Sequence, residues 1–519
     1  MLLIGLIIVA CGAKNDNNVV TTNQTNNNSK PNILLITLDD MNWNTPASFG
    51  GDIPDISPHI DALAESGVQF NNAYVQAANC SPSRVVIQTG LYPHQSGMQG
   101  FYFVNKNIQT LSGLLKNAGY YTGVINKKAD TSTHPDYDDD WNEHSSFPGS
   151  KKRSAQVYGD AFKSFLENAE AEKKPYYCVL NIADPHKPFF NDKQSIKKGY
   201  DKFKPSKIYT PKDVVIPDFL PETTEIKQQF LNYINSVKRG DDCVGSIMDV
   251  LKSSPMKENT IVIFLSDHGM PFPFAKSTVY QNGLKTPFIV SWPAKLKPRK
   301  DDTTLLSAVD IAPTLLDIVG LNQPVAMSGK SIYPALKSAN EALENPYVFG
   351  QFDENAGGIP NPSRTAISKR YGYVFNPWAT GDHKFISAST HQPTYKQMKK
   401  MSKIDSKVGT RFQFWLYRTI EEFYDYENDP DALNNLISDP LYKDLIQQHK
   451  DALRQHMLST NDYTLVAFDN LGDINFLNSW MKNQEKEAKW RCENIKWKRG
   501  KNHLGTTKGN HMLFDNNKN

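Results

Sequence analysis

The stretch that decides the fold is Ile33-Leu34-Leu35-Ile36-Thr37-Leu38, an apolar run followed directly by Asp39-Asp40. A short run that is apolar on both faces is typical of a buried parallel strand. Three more runs end in polar residues in the same way: Tyr121 to Ile125 before Asn126-Lys127-Lys128, Tyr177 to Ile182 before Asp184-Pro185-His186, and Ile261 to Ser266 before Asp267-His268-Gly269. The carboxyl ends of parallel strands meet at one edge of a sheet, so we expect these polar residues to form one site.

Helical spacing of apolar residues separates the predicted strands. It occurs in Ala161 to Ala169, in Phe230 to Val237 and in Val244 to Leu251. Alternating strands and helices predict an α/β fold with a doubly wound sheet. After about residue 345, short aromatic segments such as Tyr371 to Phe375, with a helical pattern over Leu441 to Met457, predict a smaller α+β C-terminal domain.

Length and composition restrict the class of protein. The 519 residues are 39% hydrophobic and 22% charged, which predicts a packed globular chain. Lys and Arg number 58 against 55 Asp and Glu, a net charge of +3, so the composition gives no support for nucleic-acid binding. We expect residues 1–30 to be a leader and tether, 31–345 a catalytic domain, and 346–519 a C-terminal subdomain and tail.

The N-terminus has features of an export signal. Leu2 to Val9 is apolar but shorter than the roughly 20 residues that span a bilayer. Ile8-Val9-Ala10-Cys11 resembles the lipobox of bacterial lipoproteins, in which the cysteine is lipidated, for example with palmitate. Lys14 to Lys30 is rich in Asn and Thr and predicts a flexible tether. We expect an exported lipoprotein of the periplasm or outer membrane, attached by its lipid alone; the alternative is an ordinary cleaved signal peptide.

Two pairs of strand-end residues predict a metal site. Asp39-Asp40 places two carboxylates side by side, and burying them without a counter-charge is costly. A hard divalent cation supplies that charge, and Asp267-His268 offers a second pair of ligands at another strand end. The alternative for Asp39-Asp40 alone is a solvated loop.

A third motif is Cys80-Ser81-Pro82-Ser83-Arg84, followed by Val85 to Gly90. Proline suits the first turn of a helix, so Cys80 should lie just before a helix N-terminus, where anions bind. Arg84 adds a planar cation suited to tetrahedral oxyanions. A buried structural cysteine is the alternative.

The Cys80 motif resembles the signature of the type I sulfatases, in which the cysteine is oxidised to formylglycine by a formylglycine-generating or radical maturation enzyme. The resemblance covers residues 31 to about 458 and implies an alkaline-phosphatase-like fold with a mixed sheet. Further segments similar to the family are Pro31 to Asp40, Asp310 to Leu316, Phe423 to Pro430 and Asn434-Asn435-Leu436.

The resemblance also implies roles for individual residues. Asp39, Asp40, Asp267 and His268, together with position 80, would bind one divalent cation, Ca²⁺. One hydroxyl of the hydrated aldehyde at position 80 would attack sulfur, and loss of the proton of the other would expel sulfate and restore the aldehyde. His186 would be the general acid. The sulfate oxygens would be held by Arg84, Lys127 and Lys285.

One position departs from the family pattern. Relatives usually have Gly-Lys-x-His where this chain has Asn126-Lys127-Lys128-Ala129, so the histidine that orients the hydrate is replaced by Ala129. His134 is a candidate substitute, or simply a loop residue.

Local motifs are closest to the heparan N-sulfatase (sulfamidase) branch: Pro93 to Met98, Ile216 to Pro221, and Asp267 to Pro273. We expect a sulfatase that acts on a sulfated polysaccharide such as ulvan or a glycosaminoglycan. The alternatives are an N-sulfoglucosamine sulfohydrolase, a phosphodiester or phosphonate monoester hydrolase of the same superfamily, and a catalytically silent carbohydrate-binding lipoprotein. Lys276 and Arg364 are candidate contacts for carbohydrate anions; a solvated lysine and an intradomain salt bridge are the alternatives.

Overall fold

The central element of the structure, a computed structural model, is an eight-stranded sheet that contains all four predicted strands. The structure describes residues 30–105, 107–132, 134–338 and 345–495. The strands are β1 Asn32–Asp39, β2 Val68–Phe70, β3 Ala73–Tyr74, β4 Tyr121–Ile125, β5 Glu143–Ser145, β6 Tyr176–Pro185, β7 Thr260–Ser266, β8 Phe288–Ser291, β9 Arg299–Asp301, β10 Leu306–Ser307, β11 Val348–Glu354, β12 Pro360–Ile367, β13 Tyr371–Phe375 and β14 Glu421–Asp425.

The order in the central sheet is β5-β4-β6-β1-β7-β8-β2-β9. The pairs β5–β4, β4–β6, β6–β1 and β1–β7 are parallel, whereas β8 runs antiparallel to both of its neighbours. All eight residues of β1 are buried, and Leu35 pairs with Val179 on one side and Ile263 on the other. Helices cover both sides of the sheet, and this explains why strand β1 is apolar on both faces.

The helices lie between the strands as the alternation predicts. They are α1 Pro58–Glu65, α2 Cys80–Thr89, α3 Pro93–Ser96, α4 Leu111–Asn117, α5 Lys128–Thr131, α6 Ala155–Ala171, α7 Lys193–Lys197, α8 Thr224–Lys252, α9 Gln281–Leu284, α10 Ile311–Ile318, α11 Tyr333–Lys337, α12 Pro393–Met401, α13 Ser406–Tyr417, α14 Lys443–Ser459, α15 Leu465–Phe468 and α16 Ile474–Asn494. The two segments of helical spacing over 230–251 belong to one helix of 29 residues, α8.

The C-terminal part has its own sheet, a four-stranded antiparallel one in the order β11-β12-β13-β14. Helix α14 packs on it and covers the predicted helical segment from Lys443 onward, while Leu441 and Tyr442 belong to a short 3-10 helix before it. The fold class, a mixed α/β sheet with a smaller α+β part, is thus confirmed. The boundary at 345/346 stays a prediction, because the described residues from Pro31 onward belong to one compact unit.

The predicted signal segment, Cys11 and most of the tether lie outside the described residues. Among the helices that the structure describes, none combines the length and the apolar character needed to cross a membrane.

Candidate active site

Cys80 lies where the ends of β1 and β7 meet the start of α2. It is the first residue of that helix rather than the residue before it, and it is 5% exposed. Its Sγ lies 3.4 Å from Asp39 Oδ1, 3.4 Å from His268 Nε2 and 3.4 Å from Lys276 Nζ. The fold thus brings together the two metal-ligand pairs and the cysteine motif, as the strand ends predicted.

Three buried carboxylates surround the cysteine, and the backbone bends sharply to place one of them. Asp40 has φ 74°, in the left-handed region that non-glycine residues seldom adopt. This bend directs its amide to donate to Asp267 Oδ1 at 3.1 Å. Such strain persists only where surrounding contacts enforce it, and it is often found at functional sites.

Each carboxylate faces one cation of the chain. Lys276 Nζ lies 2.5 Å from Asp40 Oδ1, and Lys127 Nζ contacts Asp39 Oδ2. The third pair joins Arg84 to Asp267 at 2.8 Å. Three cations of the chain therefore hold the carboxylates in place beside Cys80.

The donor set fits a divalent cation. Asp39, Cys80, Asp267 and His268 offer ligand atoms that all lie within 4.8 Å of one another. Among the described residues, no hydrogen-bond partner reaches the buried Asp40 Oδ2. His268 Nδ1 lies 3.0 Å from the Gly269 carbonyl oxygen, so Nδ1 carries the hydrogen and Nε2 offers its lone pair to the cluster.

The carboxylate of Asp267 remains ionised in this setting. Burial by itself raises a carboxyl pKa, but the nearby His268 and Arg84 outweigh it and hold the pKa of Asp267 well below its ordinary value. An ionised carboxylate is the form that binds a cation.

A tight loop after β7 brings Lys276 back to the cysteine. Gly269 makes this possible, because a Cβ there would lie 1.8 Å from the backbone oxygen of Asn282. Farther along, Lys276 N donates to Met270 O at 3.0 Å and Ser277 N donates to Ala78 O at 2.8 Å. The loop therefore closes onto the segment that precedes α2.

A cleft of about 450 Å³ opens above the cysteine. Its wall combines acidic groups, cations and small side chains. The lining residues include Asp39, Asn79, Cys80, Asn126, Lys127, Asp130, Lys152, Arg153, His186, Lys276, Ala356 and Ala388. Four cations thus face the cleft, which suits an anionic ligand.

His186 lines the cleft as predicted, in the neutral form. Its Nδ1 lies 2.6 Å from the Lys187 carbonyl oxygen, and burial lowers the pKa of the imidazole to about 3 although Asp40 opposes that shift. In the free site Nε2 is therefore an acceptor. Donation of a proton from Nε2 requires an anion in the cleft that stabilises the protonated ring.

The structure corrects the prediction for Lys285. Its Nζ lies 4.0 Å from the centre of the Trp43 ring, and the side chain lines a different groove. The cation at the cysteine is Lys276, nine positions earlier in the same loop region. The prediction that Lys285 holds sulfate beside Cys80 is therefore wrong, and Lys276 is nearer to the chemistry than a peripheral carbohydrate contact.

Arg84 reaches the site but lies beneath its surface. Its guanidinium donates to Thr37 Oγ1 at 2.6 Å, to Asn181 Oδ1 and to Asp267 Oδ2 at 2.8 Å, and the residue is 2% exposed. All these partners are protein oxygens, so Arg84 positions Asp267 rather than contacting an anion in the cleft directly.

Arg364 forms the intradomain salt bridge that was its alternative. Its guanidinium lies 2.5 Å from Asp462 and 2.8 Å from Asp353, and the side chain is buried. It therefore has no free face for a carbohydrate anion.

His134 does not replace the histidine missing at Ala129. It is buried and packs against the rings of Phe103 and Tyr137, 5.8 Å and 5.5 Å between ring centres, and it is not part of the cleft wall. Ala129 itself is exposed.

Sequence reasoning missed several cleft residues, and two of them, Asp130 and Arg153, fix parts of the site. Asp130 accepts a hydrogen bond from the Ser81 hydroxyl at 2.7 Å. Arg153 donates to Asp184 at 2.5 Å and to the His186 carbonyl oxygen at 2.8 Å, so it fixes the segment that carries His186. The only sequence signal was the basic run Lys151-Lys152-Arg153 before α6.

Comparison with known proteins agrees with this geometry. Ulvan-active sulfatase of Formosa agariphila is 27% identical over 481 residues, covering 83% of this chain and 76% of the relative. Human N-sulphoglucosamine sulphohydrolase is 27% identical over 474 residues, covering 84% of this chain and 92% of the relative.

Solved structures share the fold. A 2-O GAG sulfatase superposes with a TM-score of 0.62 at 21% identity, covering 84% of this chain and 93% of that one. A protein solved with its substrate D-glucosamine-2-N,6-O-disulfate also has a TM-score of 0.62, at 18% identity, covering 84% of this chain and 99% of that one. The sequence model of the Sulfatase family matches residues 31–321, more than half of the chain. The protein therefore belongs to the sulfatase family and is a sulfuric ester hydrolase.

Proposed function

We propose that the protein hydrolyses sulfate esters on a sulfated polysaccharide, or on oligosaccharides derived from it, such as ulvan or a glycosaminoglycan. The observation that carries the proposal is the position of Cys80 Sγ, 3.4 Å from each of Asp39, His268 and Lys276 at the base of a cationic cleft. A maturation enzyme would convert Cys80 to formylglycine, and one Ca²⁺ would bind to Asp39, Asp40, Asp267, His268 and position 80.

The unmodified cysteine is poorly suited to nucleophilic attack. Burial raises the pKa of the Cys80 thiol to about 12, although Lys276 opposes that shift, so the thiol is neutral near neutral pH. The hydrated aldehyde of formylglycine would supply one hydroxyl for attack on sulfur and a second for release of sulfate. A bound divalent cation would lower the pKa of the attacking hydroxyl and offset the charge of the sulfate.

The side chains of the cleft would divide the remaining work. Lys127, which is paired with Asp39, and Lys276, which is paired with Asp40, both face the cleft. These two lysines would hold sulfate oxygens. Arg84 keeps the carboxylate of Asp267 in place. His186, whose pKa is lowered mainly by burial, would donate a proton to the leaving oxygen from Nε2 once the anionic substrate stabilises the protonated ring.

The substrate class rests on the relatives. Ulvan and N-sulfated glucosamine occur in the names of relatives that share 27% identity over most of this chain. Four cations line the cleft, which suits a polyanionic carbohydrate. The human relative favours N-sulfoglucosamine as the alternative substrate.

Sulfate release from a panel of defined O-sulfated and N-sulfated oligosaccharides tests this proposal. We expect release from O-sulfated members, and release from N-sulfated glucosamine alone would favour the alternative. Matched para-nitrophenyl sulfate and phosphate esters address the remaining enzyme alternative. Faster cleavage of the phosphate ester would overturn the sulfatase proposal, and saccharide binding without any release would favour the silent binding protein.

We also propose that the protein is exported and held at a membrane by lipid on Cys11. The lipobox-like segment and the polar tether support this proposal. Membrane fractionation of the wild type and of Cys11→Ser tests it: we expect the variant to be soluble, and a variant that stays with the membrane would refute lipidation at Cys11.

A further inference from the structure

A second groove lies at the same edge of the central sheet as the cleft. We call it the Trp43 groove; its volume is about 430 Å³. Its lining includes Trp43, Asn71, Asn72, Lys285, Asp302 and Lys369.

The topology sets the direction and the spacing of this groove. Trp43 follows the carboxyl end of β1, Asn71 follows the carboxyl end of β2, and Lys285 precedes the antiparallel strand β8. These positions all lie at the edge that carries the metal ligands. Strands β1 and β2 are three positions apart in the sheet, which is about 14 Å at a strand spacing of about 4.8 Å. The groove thus extends from the end of β1 toward β2, whereas the cleft lies over the ends of β4, β6 and β1, so the two sites are neighbours along this edge.

The groove holds a lysine that lacks an anion. Within the described part of the chain, no carboxylate lies within 4.0 Å of Lys285 Nζ, which rests on the Trp43 ring. Burial alone lowers the pKa of Lys285, to about 8. An ammonium in such a position is stabilised by any anion that enters. The carboxylate of the groove, on Asp302, instead accepts a hydrogen bond from Asn71 Nδ2 at 2.5 Å.

The other side chains suit a sugar. The Trp43 ring is half-buried and is fixed by its Nε1, which donates to Asn282 Oδ1 at 3.2 Å. Aromatic faces pack against the apolar faces of sugar rings, and side-chain amides pair with hydroxyls. Lys369, exposed on the turn between β12 and β13, adds a second cation at the rim.

We propose that the Trp43 groove is a second polysaccharide-binding site, which holds a sulfated or carboxylated sugar unit of the polymer while another unit occupies the cleft. This inference rests on the proposed function. A second binding site would allow the enzyme to prefer a chain with anionic groups on several units over a single sulfated sugar.

The test is the affinity for ulvan and for heparin, measured by titration calorimetry with the full-length protein. We expect Lys285→Gln to weaken binding of at least one polymer about tenfold, since it removes one charge-assisted contact. Lys285→Arg should restore most of the affinity, and Lys369→Gln should weaken binding in the same direction. Lys337→Gln is the matched control, because Lys337 also rests on a ring, 4.7 Å from the centre of Tyr333, but lines neither site. It should bind like the wild type.

Two results would refute the proposal that the Trp43 groove binds polysaccharide. They are unchanged polymer affinity in Lys285→Gln, or an equal loss of polymer affinity in Lys337→Gln. The KM for the polymer should also rise more than the KM for para-nitrophenyl sulfate in Lys285→Gln. Sulfate release by the wild type is measured separately. Polymer binding that depends on Lys285, without release from any substrate, would refute the proposed function and leave the groove supported.

Discussion

Replacing Lys276 with methionine is the perturbation that separates the site seen in the structure from the one expected from sequence. The ammonium lies 2.5 Å from Asp40 Oδ1 and 3.4 Å from Cys80 Sγ, and the residue is 5% exposed. Methionine keeps most of the side-chain volume and removes the charge.

This substitution has two separate expected effects, one on stability and one on turnover. Removing one partner of a buried ion pair leaves an uncompensated charge, which costs about 3–5 kcal/mol of stability in the metal-free protein. Loss of one preorganised donor that stabilises charge in the transition state lowers turnover by about 10²–10³-fold. The first effect acts on folding and the second on the folded enzyme.

A matched variant separates the two effects. Lys238 is also buried, 3% exposed, and its Nζ lies 2.9 Å from Asp241 Oδ2 on helix α8, away from the cleft. We expect Lys238→Met to lose comparable stability in urea unfolding and to keep the turnover of its folded fraction. Turnover is followed by release of para-nitrophenol from its sulfate ester, normalised to folded protein. Wild-type turnover in Lys276→Met, or an equal loss in Lys238→Met, would refute the assignment of Lys276.

Three further predictions follow from the structure. Gly269→Ala should lose at least about 1–3 kcal/mol of stability, because its Cβ meets a backbone oxygen at 1.8 Å, whereas Gly472→Ala has open space and should unfold like the wild type in urea. Arg364→Met should lose about 3–5 kcal/mol by uncovering two facing carboxylates, and an unchanged urea midpoint would contradict its buried ion pairs. Ca²⁺ at a hundredfold excess over its Kd should stabilise the wild type by about 2.7 kcal/mol in a thermal melt, and Asp267→Asn should lose most of that gain; an equal gain in both would refute the metal site.

The sequence was sufficient for the residues at strand ends. Asp39, Asp267 and His268 end or follow short apolar runs that are typical of buried strands, and parallel strands bring their carboxyl ends together. The Cys80 motif added a helix start, which the fold places over the same edge. Local pattern and topology agree at these positions.

Side chains placed by long-range contacts could not be predicted. Lys276 and Lys285 lie in the same region after β7, and the return of the loop at Gly269 decides which of them reaches Cys80. Arg84 was expected to hold sulfate oxygens, but Thr37 and Asn181 on neighbouring strands hold it beneath the surface of the site. Neither outcome has a periodic signal in the sequence.

Peptide mass spectrometry across Cys80, on protein produced with a maturation enzyme and assayed in the same preparation, tests the central claim most directly. We predict that Cys80 is converted to formylglycine and that sulfate release rises in proportion to the converted fraction. Full sulfate release from protein in which Cys80 remains an unmodified cysteine would contradict the proposed chemistry.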